Sequence, residues 1–395
     1  MGDLSGFQSR LNQAKNRLEE YSGRPALVFH HDEADGLTSA ALAKLALERA
    51  GLATELVCLD KLYPEVAADV GARPGLVVVY ADLGSGHVDL LSSLNKARNL
   101  VIVLDHHDTR DLSDPLVLNL NPELDGFSGE KEASSATVAY MFAKTVDPAL
   151  ARYAHLGLIG SEEVPGEVQG LNAMVAEDAV GGGLAEKTSK GDFKIIAGGS
   201  SIARRRASTV LNVLGSVGYY RGGPRMGIDA CINGFEGHSL KLAESLEEER
   251  KEANRKMLAS IRERGLSQLK MVQWFHARDN YAGMSGKVVG SFCSYLRYQR
   301  GVNPVKYLLG MMNVPPEIPG WGNLPSPSVK VSARAPQTLL GMIENGTRPP
   351  LSRILPEACA RVEGFGDGHS VAASGVFPVG REDDFLKEID GLASG

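Results

Sequence analysis

The sequence predicts an α/β protein: a parallel-sheet domain, then a smaller α/β domain, joined by a long charged helix. Three observations carry this prediction. Residues 27–29 (LVF), 77–80 (VVVY) and 100–104 (LVIVL) are short continuous apolar runs, the pattern of strands buried on both faces of a parallel sheet. Helical patterns alternate with them, which is the βαβ arrangement. Residues 240–266 (LKLAESLEEERKEANRKMLASIRERGL) form a long, heavily charged pattern with few core positions, as expected of a helix that bridges domains.

The elements follow in order. Residues 1–21 are polar and helical in pattern, with neither a signal peptide nor an anchor. After the strand at 27–29, the Ala/Leu-rich residues 37–50 predict a helix closed by Gly51. Strands are expected at 54–59, 76–82, 100–104 and 116–120, with a helix at 87–97. Ser134 and Ser135 cap a helix running through Thr137, Tyr140 and Lys144. Residues 153–232 are expected to be mainly helical with glycine-rich breaks. The domains are therefore placed at 1–238 and 269–395, with 239–268 as the linking helix. The second contains a strand at 329–332.

A chain of 395 residues can build two full cores. Its 43% hydrophobic and 23% charged content place it among ordinary globular proteins rather than disordered or membrane-spanning ones. No apolar stretch reaches the length of a membrane helix, so no membrane partner is expected. Cys58, Cys231, Cys293 and Cys359 are scattered without a C-x-x-C pair. That argues against a disulfide framework or zinc ribbon and suits the reducing cytoplasm. A net charge of −6 works against broad nonspecific duplex binding, yet leaves room for a local phosphate groove.

The chemistry sits where the apolar runs end. Residues 100–104 stop at Asp105-His106-His107, 27–29 at His30-His31-Asp32-Glu33-Ala34-Asp35-Gly36, and 77–80 at Ala81-Asp82. Carboxylate with imidazole suits Mn²⁺-type ions. Parallel strands share a carboxyl edge, where ligands of open α/β sheets bind. Acids and histidines from three segments are therefore expected to converge on one crevice. The bland alternative, that each is a turn or cap residue, requires four separate coincidences.

This ordered set resembles the DHH phosphoesterase superfamily, in particular the RecJ-like nucleases with a DHH-associated C-terminal domain. The family's H-x-D-x-D-G motif corresponds to His31-Asp32-Glu33-Ala34-Asp35-Gly36, its later acid to Asp82, and its D-H-H triplet to Asp105-His106-His107. Its distal G-G-G-H element corresponds to Gly364-Phe365-Gly366-Asp367-Gly368-His369, and its S-x-R element to Ser332-Ala333-Arg334. The resemblance implies two Mn²⁺ or Mg²⁺ ions, one held by His31, Glu33 and Asp82, the other by Asp35, Asp82 and His106. It implies that Asp105 orients an imidazole and that His107 faces the phosphate as charge stabiliser or proton donor. Ser332, Arg334, Gly364, Gly366, Gly368 and His369 would bind substrate.

Three departures stand out. Glu33 replaces an Asp. The fourth acid is expected at Ser161, leaving Glu162 as the candidate ligand, with Glu163 beside it. Asp367 replaces a glycine. The implied activity is exonucleolytic hydrolysis of single-stranded DNA or RNA to mononucleotides. The alternatives are an oligonucleotidase or nucleotide phosphatase on very short substrates, or a weakly active or non-catalytic subunit partnered with replication or repair proteins. Arg204-Arg205-Arg206 reads as a solvated face, and Trp274-Phe275 as core.

Overall fold

The computed structural model describes residues 2–197, 199–235 and 237–395. They divide into two units. The first extends to Glu244 and includes Pro319–Trp321; the second comprises Ser245–Ile318 and Gly322–Gly395.

The first unit opens with α1 (Leu4–Glu19), followed by β1 (Pro25–His31), α2 (Ala34–Arg49), β2 (Ala53–Leu59), α3 (Pro64–Gly71), β3 (Val77–Ala81), α4 (Val88–Asn95), β4 (Leu100–Leu104) and β5 (Val117–Asn119). The five strands form one parallel sheet in the order β2-β1-β3-β4-β5. Every residue of β3 and β4 is buried, which is why their sequences show no alternation. α2 starts at Ala34, three residues before the expected position, so Asp35 lies in its first turn. Its Ala-rich surface lets it pack closely on β1, α5 (Ser135–Val146), α6 (Ala154–Gly160) and later helices. α5 is capped as the sequence predicts, Ser134 Oγ accepting the Thr137 N–H.

Residues 153–232 are not purely helical. After α6 and α7 (Gly170–Gly181) come β6 (Ala185–Lys187), β7 (Phe193–Ala197) and β8 (Ser200–Ala203), a small antiparallel sheet. Phe193 and Ile195 are buried while Lys194 between them is exposed, a period-two pattern too short to stand out among the glycines. α8 (Arg204–Asn212) and α9 (Gly223–Asn233) complete the unit. The long charged helix is α10 (Gly237–Arg264), and the boundary between the units falls within it.

The second unit continues with β9 (Ser267–Gln268), β10 (Val272–His276), α11 (Lys287–Leu296), β11 (Tyr307–Val314), the short pair β12 (Glu317–Ile318) and β13 (Gly322–Asn323), and β14 (Ser328–Arg334). Then come α12 (Gln337–Glu344), α13 (Leu351–Arg361), β15 (Phe365–His369), β16 (Ala372–Pro378) and α14 (Glu382–Ser394). Its sheet runs β15-β16-β14-β11-β10-β9, with β10 and β11 parallel and the other pairs antiparallel. Val329, Val331 and Ala333 alternate toward a core shared with Leu355, Phe377 and Phe385. Ser332 points to the other face, toward Gly290 of α11. Phe275 is core, meeting the Phe292 ring edge-on at 5.4 Å, and Trp274 packs against the main cluster.

The glycine-rich stretch from Gly364 to His369 contains strand β15. Gly366 lies opposite Gly375, and a Cβ there would come within 2.9 Å of Leu355 Cδ2. The glycines let the strand lie close under α13. All four cysteines are buried. No helix among the described residues is long and apolar enough to cross a membrane.

Candidate metal centre

The parallel register aligns the strand ends. His30 pairs with Ala81, and Ala81 with Leu104, so His31, the last residue of β1, and Asp82 and Asp105, just past β3 and β4, are successive positions of one row at the sheet edge. Adjacent strands lie about 4.8 Å apart, which brings three polar side chains within reach of one another. Asp82 takes a left-handed backbone, φ +62°, while its N–H still donates to Leu104 O at 2.9 Å. That conformation is uncommon outside glycine and is found where surrounding structure fixes it, often at functional sites.

Asp82 is the hub. His31 Nδ1 lies 3.5 Å from its Oδ2, His106 Nε2 3.9 Å from its Oδ1, and His107 Nδ1 4.0 Å from its Oδ1. One ligand atom each from Asp82, His106 and His107 falls within a 4.8 Å group. His31 Nδ1 is also 3.6 Å from Glu33 Oε2, and its Nε2 is 3.5 Å from Asp32 Oδ1. His106 Nε2 is 3.6 Å from Asp35 Oδ2. Several of these gaps exceed a hydrogen bond. They match ligand atoms sharing one cation, since two bonds of about 2.1 Å at an open angle span about 3–4 Å.

The surrounding hydrogen bonds set the tautomers. Gly129 O can only accept, so His106 Nδ1 donates to it at 2.7 Å and Nε2 is left with its lone pair. His107 Nδ1 donates to Asp105 Oδ1 at 2.7 Å. Asp105 also accepts from the N–H groups of Ser85 and His106 at 2.9 and 2.8 Å. Asp35 is held at the first turn of α5, accepting from Ser135 N and Ala136 N at 2.9 and 2.7 Å, where the helix terminus favours an anion. Ser135 Oγ donates to Asp82 Oδ1 at 2.8 Å. These donors fix the orientation of Asp35 and Asp82, whose oxygens have further lone pairs for a cation.

The electrostatics follow from burial and proximity. Burial, and then the carboxylate of Asp82, push Asp35 up to about 6. Burial also acts against ionised Asp82 and Asp105. The imidazoles of His31, His107 and His106 overcome it for Asp82. For Asp105, the imidazoles of His107 and His106 with the Ser85 N–H hold the acid well below the carboxylate range. Asp35, buried beside the Asp82 carboxylate, would be stabilised in its ionised form by a divalent cation. Mixed carboxylate and imidazole donors suit Mn²⁺ or Mg²⁺.

Not every expected residue is brought here. The Ser161 hydroxyl donates to Leu158 O at 2.8 Å. Glu162, the candidate fourth acid, has different partners: its carboxylate pairs with Arg204 at 2.7 Å and Arg205 at 3.0 Å. Arg204, expected on a solvated face, is buried between Glu162 and Asp192. Glu163 is the acid nearer the first motif, its Oε1 accepting from Ala34 N at 3.0 Å. Ser135, Gly129 and Ser85 carry no motif. Ser135 is legible in the sequence only as a helix cap, and a carbonyl that orients an imidazole leaves no mark on residue type.

In the second unit, Arg334 of β14 pairs with Ala372, and Ala372 with His369, placing Arg334 and His369 in one row on the same face. Ser332 and Asp367 lie in the next row of that face, on either side of Ser374. Arg334 Nε donates to Ser294 Oγ at 2.9 Å. Gly364, Gly366 and Gly368 sit against β16.

Residues 25–161 match the DHH family, N-terminal domain. The chain carries a DHH-family domain. That DHH domain spans β1 to Ser161 and so contains every residue of the centre described above. A 190-residue stretch is 26% identical to the uncharacterized protein MJ0831 of Methanocaldococcus jannaschii, covering 45% of this chain and 42% of that protein. The fold is RecJ-like. RecJ from Thermus thermophilus in complex with Mn²⁺ superposes with a TM-score of 0.64 at 16% identity, over 98% of this chain and 55% of RecJ. An exonuclease RecJ bound to manganese superposes at 0.62 and 16% identity, over 97% of this chain and 94% of that one. The matched regions span less than half of MJ0831 and just over half of the Thermus protein.

Proposed function

We propose that this chain is a metal-dependent phosphodiesterase that removes mononucleotides from an end of single-stranded DNA or RNA. The observation that carries this reading is the hub at Asp82, which has His31, His106 and His107 within 4.0 Å, while Asp35 lies 3.6 Å from His106. The DHH-family domain and RecJ-like fold support metal-dependent phosphoester chemistry, and the similar RecJ proteins were solved with Mn²⁺.

In this reading His31, Glu33, Asp35, Asp82 and His106 would hold two divalent ions. Such ions supply an activated water and a clamp on the phosphoryl oxygens. Asp105 keeps the His107 ring oriented. His107 is half exposed, placed to meet a phosphate or protonate a leaving oxygen. Arg334 offers a planar fork for a phosphate, with His369 in the same row beside it. We assign residues 1–238 to the catalytic domain, 239–268 to the linking helix and 269–395 to the substrate-binding domain. Proteins of replication or repair are the partners this reading expects, and the cytoplasm its location.

Mn²⁺-dependent digestion of oligonucleotides labelled separately at each end tests the proposal. Mononucleotide release that disappears in His106→Ala supports it. Release only from very short substrates would turn it into an oligonucleotidase. One observation favours a second reading, a non-catalytic subunit: Ser161 turns back to Leu158 and Glu162 is taken by Arg204, so neither supplies the fourth acid. Absence of turnover from folded, metal-loaded protein would select it.

A further inference from the structure

One end of the second sheet gathers several arginines. Leu308, Arg334, Ala372 and His369 share a register row there, where β11 begins, β14 ends and β15 turns into β16. α11 runs back from the end of β10 to the start of β11, so Arg297, Tyr298 and Arg300, which follow it, reach the same end. The connection between α12 and α13 is fastened there too. Tyr307 Oη donates to Pro349 O at 2.6 Å, and Leu351 N donates to Ser370 O at 2.8 Å.

A cleft of about 680 Å³ opens beside the β15–β16 turn, with Thr347, Arg348, Arg353, Ser370, Glu344 and Gly395 in its wall. Among the described residues neither Arg348 nor Arg353 has a carboxylate at ion-pair distance, whereas Arg361 and Arg381 of the same unit each hold two. Arg348 Nε is enclosed and meets no acceptor among them. A desolvated guanidinium donor without an acceptor is costly, and an arriving anion would remove that cost. Arg353 lies in the first turn of α13, where the helix N-terminus also favours an anion.

On the α11 side of this end, Tyr295 and Tyr298 are 49% and 63% exposed. Arg297 lies over the Tyr298 ring at 4.7 Å, and its enclosed Nε also lacks an acceptor among the described residues. Exposed rings interleaved with arginines fit bases and phosphates of a single strand, by stacking and by charge. A base-free polyanion would have no use for the rings.

We infer that this end of the sheet is a track for a nucleic-acid strand, with the Arg348–Arg353 cleft as a phosphate subsite beyond the nucleotide held at Arg334 and His369. This rests on the phosphodiesterase reading for the end of the strand, and it commits the substrate class to polynucleotides longer than a dinucleotide.

Fluorescence anisotropy of the full chain with a labelled dinucleotide, hexamer and fifteen-mer tests the inference, using Arg353→Ala and the double variant Arg348→Ala/Arg353→Ala. Arg353 is exposed, so its substitution leaves the core intact. Affinity should rise with length in the native chain, and Arg353→Ala should lose part of that gain and the double variant most of it. The slope of log affinity against log salt should fall by about 0.7 for the lost phosphate contact. Equal binding of the dinucleotide and fifteen-mer, or fifteen-mer binding unchanged in both variants, would overturn the inference. So would inorganic polyphosphate that binds as tightly as the fifteen-mer with the same Arg353 dependence. Hydrolysis of bis(p-nitrophenyl) phosphate, which carries one phosphodiester and no strand, reports separately on the phosphodiesterase reading. Turnover without length dependence defeats the inference alone; length-dependent binding without turnover defeats the reaction alone.

Discussion

His106 donates its Nδ1–H to the carbonyl of Gly129 at 2.7 Å, and this one bond points the Nε2 lone pair toward Asp35 and Asp82, 3.6 and 3.9 Å away. A backbone carbonyl cannot exchange roles with the ring, so the tautomer is set before any ion arrives. Asp105 does the same for His107 with a carboxylate.

Asp105→Asn should therefore act on metal binding and rate more than on folding. The carboxylate accepts from Ser85 N, His106 N and His107 Nδ1, and an amide must turn a donor toward at least one of them. A loss of about 10–100-fold in Mn²⁺ affinity or in turnover is expected, read by metal titration beside steady-state kinetics. Native values in both would contradict the orienting role.

Glu162→Gln should leave metal affinity unchanged, because the carboxylate faces Arg204 and Arg205 rather than the hub. Arg204→Met should instead destabilise the fold by about 1–3 kcal/mol, since Asp192 loses its Arg204 partner and Glu162 keeps only the exposed Arg205. Chemical denaturation measures the second effect and calorimetric titration the first. A weakened metal site in Glu162→Gln would restore that residue as a ligand.

Acid should weaken the protein from about pH 6.5 downward. Burial lowers His155 to about 4, so between these values the unfolded chain binds a proton that the folded chain refuses. Stability present above pH 6.5 is lost as pH falls to 4, by about 3 kcal/mol for this group. His30, also lowered to about 4 by burial, shares the window. Asp105 acts at lower pH: its stabilisation, present above the unfolded carboxyl value, is lost as pH falls toward its depressed folded value. Urea midpoints measured across pH 7 to 4 should flatten in His155→Gln; an unaltered slope would refute this assignment.

Gly36→Ala should abolish the centre. The Cβ would be driven into the His31 carbonyl, and only displacement of β1 from α2 relieves that. Circular dichroism and metal titration should show misfolding or lost binding, and native metal affinity would contradict the tight approach.

The strand ends were legible because polarity changes abruptly there: Leu104 to Asp105 and Ala81 to Asp82 are read directly from residue type. The antiparallel sheet β6–β8 was not, since its strands are shorter than a reliable alternation. Glycines at 364, 366 and 368 signal close approach, but residue type alone does not say whether the approaching body is a ligand or, as here, β16 beside Gly364 and Gly368 and the helix α13 beside Gly366. The partner of Glu162 lies 42 residues away at Arg204, a pairing that spacing does not encode. Ser135 looked like a cap and is also a donor to Asp82, because one hydroxyl can serve a helix end and a site at once.

The most direct test of the centre is a Mn²⁺ titration followed by electron paramagnetic resonance, on the native chain and on Asp82→Asn. Asn tolerates the left-handed backbone at this position, so the variant should fold. The proposal predicts Mn²⁺ bound by the native chain and lost in the variant. A folded native chain that binds no Mn²⁺, or a variant that binds it equally well, would contradict it.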